Sequence, residues 1–249
     1  MTQKPLPVSS GNPCPMLRAL VAEGYLPDRV ASLKAIGDIA ARLSGSETKP
    51  DRTTGILTML VAMIANGLNP LTVGRNLVRG VRLDQLHDGP LDKHGVGSGV
   101  LDAHGVVSAA NLERLDQFAS EKTDLSGVTE RGLDTQEITL LMDANLARAG
   151  NRARGVDRKL MDAEFPVLLT MIGKDGTAGR YLSLAELRAL ITDHRLPARV
   201  TARHLPPPAP VSHGPPHFLR SYPDNAPKSQ HRPYQACRCQ TADADHIRC

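Results

Sequence analysis

Tryptophan is absent from this chain of 249 residues, and its aromatic side chains amount to three phenylalanines and four tyrosines. A pocket caged by aromatic rings is therefore excluded, and any apolar lining must be aliphatic. Cysteine is scarce in the body of the chain: three of the four, Cys237, Cys239 and Cys249, stand at its far end. No disulfide framework can support the fold, and Cys14 is left free for other chemistry. Long apolar runs are missing too, since the most apolar one, Ile56 to Ala65, is too short to span a bilayer and predicts a buried helix. No membrane partner is expected. The N-terminus lacks the charged segment and following apolar run of roughly 7–15 residues that a secretory signal needs, which predicts a cytoplasmic protein. The net charge is +4, but the 30 basic residues are scattered among 26 acidic ones instead of forming a stripe. Nucleic acid is therefore not an expected partner.

Sustained period-two alternation is also lacking, whereas helical spacing recurs along the chain. Helices are predicted at Pro15–Glu23, Ala31–Ser44, Thr54–Asn66, Leu71–Val78, Ser108–Ser120, Gln136–Ala149, Asp157–Ile172 and Ser183–Asp193. The last opens with a capping box, Ser183 and Glu186, and stops before Pro197. The expected fold class is all-α: one helical domain over residues 10–204, preceded by a flexible N-terminus, residues 1–9. From Leu205 onward the chain holds nine of the nineteen prolines and no apolar period. Residues 205–249 are expected to form a disordered tail, because they cannot bury enough surface to offset chain entropy.

The most informative stretch is Asn12-Pro13-Cys14-Pro15-Met16-Leu17-Arg18-Ala19-Leu20, closed by Gly24-Tyr25-Leu26-Pro27. Pro15 suits the first turn of a helix, because its missing N–H would have been unpaired there. Leu17, Leu20 and Val21 recur at helical spacing and Gly24 supplies a stop, so Cys14 falls at or next to the N-cap. There a sulfur faces free N–H groups and the positive end of the helix dipole, which favour the thiolate that ligates metals.

This segment resembles the proximal segment of the heme-thiolate peroxidases, the family of chloroperoxidase and the unspecific peroxygenases. The resemblance implies a helical heme protein in which Cys14, between Pro13 and Pro15, is the axial ligand of the iron of heme b. It further implies hydrogen peroxide as oxidant, a small organic substrate or a halide as the species oxidised, and a distal carboxylate that moves the peroxide proton. That carboxylate falls in Asp157-Arg158-Lys159-Leu160-Met161-Asp162-Ala163-Glu164-Phe165-Pro166. Counting back from Gly173 favours Glu164, whereas anchoring on Phe165-Pro166 favours Asp162. Arg158 is placed either as a charge-stabilising arginine or as the i,i+4 partner of Asp162 on a solvated face.

A second family signature departs from the pattern. Family members carry Glu-His-Asp or Glu-Gly-Asp near a His-Gly pair, whereas here His104-Gly105-Val106-Val107 leads into Ser108-Ala109-Ala110 and then Asn111-Leu112-Glu113-Arg114-Leu115-Asp116. Ser108 takes a position beside the cofactor, or serves with Asn111 to cap the following helix. Without the acids a hard-cation site is not expected. Asp92-Lys93-His94-Gly95 and Asp102-Ala103-His104-Gly105 repeat a short pattern better suited to turns than to zinc, and Cys237-Arg238-Cys239 has no matched second pair. Met59, Leu60, Met63 and Ile64 are candidates for the aliphatic lining of a distal pocket or for plain core. The alternative expectation is a heme-binding protein whose degraded distal site supports little peroxide catalysis.

Overall fold

In the computed structural model, residues 5–45, 49–93, 96–102 and 104–205 are described. The expected tail, with Cys237, Cys239 and Cys249, lies outside them apart from Leu205, as does His94 of the Asp-x-His-Gly repeat.

Helix starts follow local chemistry. Helix α1 (Pro15–Ala22) begins at Cys14 with Pro15 in its first turn. Ser32 caps α2 (Leu33–Ser44), accepting from Ala35 N at 3.1 Å, and Asp51 caps α3 (Arg52–Ala65). Asn69 caps α4 (Pro70–Arg79), whose first residue is again proline. Two short strands, β1 (Val30–Ala31) and β2 (Val81–Arg82), pair antiparallel across this helical hairpin. Then follow α5 (Ala109–Phe118), β3 (Ser120–Thr123), β4 (Thr129–Leu133), α6 (Thr135–Ala149), α7 (Gly155–Ile172), β5 (Lys174–Gly176), β6 (Gly179–Ser183), α8 (Leu184–Thr192) and α9 (Ala198–His204).

The all-α expectation is overturned: six strands in two antiparallel sheets make the fold mixed α/β, although helices dominate. Four of the strands form one sheet in the order β3-β4-β6-β5. These strands have two to five residues and carry sequences such as Ser-Glu-Lys-Thr and Lys-Asp-Gly. A period of two cannot show itself over such lengths. Turn chemistry makes them instead: Asp124 Oδ1 accepts from Ser126 N at 2.9 Å and Val128 N at 3.0 Å, folding β3 back onto β4. A half-buried cluster then ties the sheet together, with Lys174 Nζ 2.5 Å from Glu130 Oε1 and 3.2 Å from Asp124 Oδ2. Tyr181 and Ser183 donate their hydroxyls to the same Glu130 carboxylate.

Helix α1 packs on α8, and α7 packs on α2 and α6, around one apolar core that includes Leu20, Leu43, Leu83, Leu115, Leu187 and Leu190. The crossing of α2 and α3 depends on two glycines: a Cβ on Gly55 would stand 2.6 Å from Gly37 O. Residues 194–196 return to α1, where Leu196 N donates to Glu23 Oε1 at 2.7 Å. At the other end Leu6 N donates to Ala22 O at 2.8 Å.

Candidate active site

The Asn12 side chain builds the local geometry at Cys14. It is fully buried, and its Oδ1 accepts from Cys14 N at 3.2 Å, so the chain turns before Pro15 starts α1. The N–H groups of Leu17 and Met16 face the sulfur and favour its ionised form, without closing a cap hydrogen bond of ordinary geometry. Burial has the larger effect and pushes the Cys14 thiol up, helped by the negative charge of Glu164, while Lys93 pulls the other way. The expected low-pKa thiolate is thus not the resting form. A metal at this sulfur would have to displace its proton.

Those electrostatic influences point to the rest of the site, for Glu164 on α7 and Lys93 of the loop after β2 both act on the sulfur through their charges. Glu164 Oε2 lies 2.8 Å from Lys93 Nζ and accepts from Ser98 N at 3.3 Å. Ser98 Oγ donates to Glu164 Oε1 at 2.9 Å. Burial alone would raise the Glu164 carboxyl, but the Lys93 charge and the hydrogen bonds from Lys93 and Ser98 outweigh it and hold it below its usual range. Glu164 and Lys93 are half-buried, with 21% and 22% of their side-chain surface accessible. Gly97 packs against the pair, because a Cβ there would meet Lys93 Nζ at 2.8 Å and Glu164 Oε2 at 3.1 Å.

Arg148 on α6 holds this loop from behind. Its guanidinium donates to Gly97 O at 2.8 Å, Ser98 O at 3.1 Å and Asn111 Oδ1 at 2.7 Å. Asn111 Nδ2 in turn donates to Gly99 O at 2.9 Å. Ser108, one of the expected cofactor contacts, caps α5 through Asn111 N at 3.4 Å. Its connection to the site runs through Asn111 and Arg148.

On the other flank of Cys14, the Arg18 guanidinium donates to Ser9 O at 3.0 Å, Asn12 O at 3.2 Å and His194 Nε2 at 3.1 Å. Burial lowers the His194 pKa and the Arg18 charge lowers it further, so His194 is neutral and its Nε2 accepts. Two buried nitrogens beside Cys14, Asn12 Nδ2 and Arg18 Nε, have no hydrogen-bond partner. Both are donors, which suits a group that brings acceptor oxygens. A soft sulfur and a carboxylate are the group types that a thiolate-ligated heme would use. The donor set also suits an anionic ligand of other chemistry.

Of the expected site residues, Cys14 feels the charge of Glu164, and Pro13 and Pro15 bracket Cys14 in sequence. Asp162 and Arg158 are exposed at the flank of α7 beside its buried seam of Met161, Phe165 and Leu168, and no ion pair joins them. Met59, Met63 and Ile64 are half-buried and Leu60 is exposed. His104 N donates to Asp102 Oδ1 at 2.8 Å in a turn, in keeping with the turn reading of that half of the repeat. No group of three or more His, Cys, Asp or Glu poised to hold a metal ion occurs among the described residues. Sequence reasoning missed Lys93, Ser98 and Arg148 as parts of the site, since nothing near them in sequence signals a partner on α7 or α1. No helix among the described residues is long and apolar enough to cross a membrane. No family model matches this chain, and comparison with curated proteins and with solved structures gives no match either.

Proposed function

We propose that Cys14 and Glu164 mark a site that binds heme b through the Cys14 sulfur and uses hydrogen peroxide to oxidise or oxygenate small organic substrates or a halide. The support for this reading is the electrostatic influence of Glu164, one of the two expected distal acids, on Cys14, the residue of the peroxidase-like segment. When bound through a thiolate, heme supplies electron density that favours O–O cleavage. The residues of the chain supply the rest. Asn12 and Pro15 orient the sulfur, Arg18 and Asn12 offer donors to acceptor oxygens, and Glu164 exchanges the peroxide proton at a carboxylate oxygen.

The second reading is a heme-binding protein with little peroxide catalysis, and the Lys93 contact favours it. A carboxylate held low by an ammonium 2.8 Å away is a weak base, and it must loosen that contact to take a proton. Protein reconstituted with hemin, reduced and exposed to carbon monoxide tests the ligand. The red-shifted Soret band of thiolate-ligated heme is expected in the parent protein and absent in Cys14→Ala. No heme uptake, or an unchanged band in Cys14→Ala, sinks both readings. Peroxide-driven turnover of a phenolic donor then separates them. The enzyme exceeds free hemin and loses on the order of 10²-fold or more in Glu164→Gln, whereas a binding protein does not exceed hemin at all.

A further inference from the structure

Helices α3 and α4 carry apolar residues that the chain itself does not cover. Ile56, Leu57, Leu60 and Val61 lie on one side of α3, and all are exposed although α3 packs against α2. On α4 the mismatch is greater. Leu71 is 83% exposed and Val78 85%, and Leu77 is exposed too. Leu71 and Val78 are seven positions apart, hence on one face of the helix. The only buried residue of α4 is Asn76, a polar one. Of the apolar side chains of α4 only Val73 is even half-buried, so the helix gains little from the hydrophobic effect within its own chain. An apolar face of this kind marks a surface that meets something else.

Charge selects the partner. Residues 52–83 contain no Asp or Glu, and they carry Arg52, Arg75, Arg79 and Arg82. Arg82 pairs with Asp84 at 2.9 Å, whereas Arg52, Arg75 and Arg79 are exposed and engage no acidic group among the described residues. A second copy of the same face would oppose arginine to arginine with no acid to match. The segment after Leu205 fits no better, because its basic residues outnumber its acids. Protein partners are commonly anchored by aromatic side chains, and α3 and α4 carry none. Flat aliphatic faces flanked by unpaired arginines match an anionic lipid surface, in which aliphatic side chains enter the acyl boundary while arginines meet headgroup phosphates.

We propose that α3 and α4 form a peripheral membrane-docking surface for bilayers containing anionic lipid. The sequence expectation of no membrane partner rested on span length, and a helix lying in the interface needs no span. This surface is independent of the heme reading, and its test uses neither heme nor activity. The full chain is sedimented with vesicles of phosphatidylcholine alone and with vesicles holding about 30% phosphatidylserine. Binding is expected only to the second, weakening as salt rises. The double variants Leu71→Asp/Val78→Asp and Arg75→Glu/Arg79→Glu alter exposed positions and should fold as the parent does by circular dichroism. Each is expected to weaken binding on the order of tenfold or more. No binding to either vesicle overturns the proposal, as does equal binding to both that the arginine variant leaves unchanged. A concentration-dependent dimer in ultracentrifugation that Leu71→Asp/Val78→Asp abolishes, without vesicle binding, assigns the face to self-association and also overturns it.

Discussion

Lys93 decides how Glu164 behaves. Burial favours the neutral carboxyl, and the ammonium 2.8 Å away reverses that preference. In Lys93→Met the reversal is lost, so the Glu164 pKa should rise above the ordinary value of about 4.3 and move any activity limb it controls to higher pH. Because Glu164 titrates low in the parent, its ion pair contributes stability above that ordinary value and loses it as pH falls through the folded one. Lys93→Met should therefore cost about 1–3 kcal/mol at neutral pH, with the gap from the parent closing below about pH 4. Denaturant titrations at the two pH values check this, and a gap independent of pH contradicts it. The place of Cys14 at the N-cap of α1 was legible because helix-start signals surround it within a few positions. Lys93 and Ser98 were not, since their role exists only once α7 comes to lie beside their loop.

Helices were legible along most of the chain because each needs only a stripe and a cap, both written locally. All eight expected helices occur, with ends shifted by about two residues as is usual for such boundaries. Strands were not legible, because turns and partners make them and their own residues do not alternate. The contact of α2 with α3 was equally hidden: glycine in a helix reads as a weakness, yet Gly37 and Gly55 let two backbones approach. A methyl group at Gly55 would meet Gly37 O at 2.6 Å and Ala41 Cβ at 2.9 Å. Gly55→Ala should gain helix propensity and still destabilise by about 1–3 kcal/mol, since packed backbone cannot move aside. A melting temperature unchanged or raised in that variant would show that the crossing relaxes freely.

Across the whole molecule, α1 is gripped from the far side of the described chain. Arg18 meets His194, and Glu23 receives Leu196 N. Protonating His194 would set one cation against another, and its folded pKa lies below the ordinary value. Stability from this contact is complete above about pH 6.5 and is lost as pH falls through the folded pKa. His194 holds a left-handed φ of 53°, which asparagine tolerates, so His194→Asn should fold and flatten that part of the stability profile. An unaltered slope in thermal melts between about pH 4 and 7 would remove His194 from this role. The electrostatic tie of Cys14 to Glu164 also sets an order of events during synthesis. Cys14 leaves the ribosome long before α7 does, so the surroundings of its sulfur are completed only once α7 has been made and folded back.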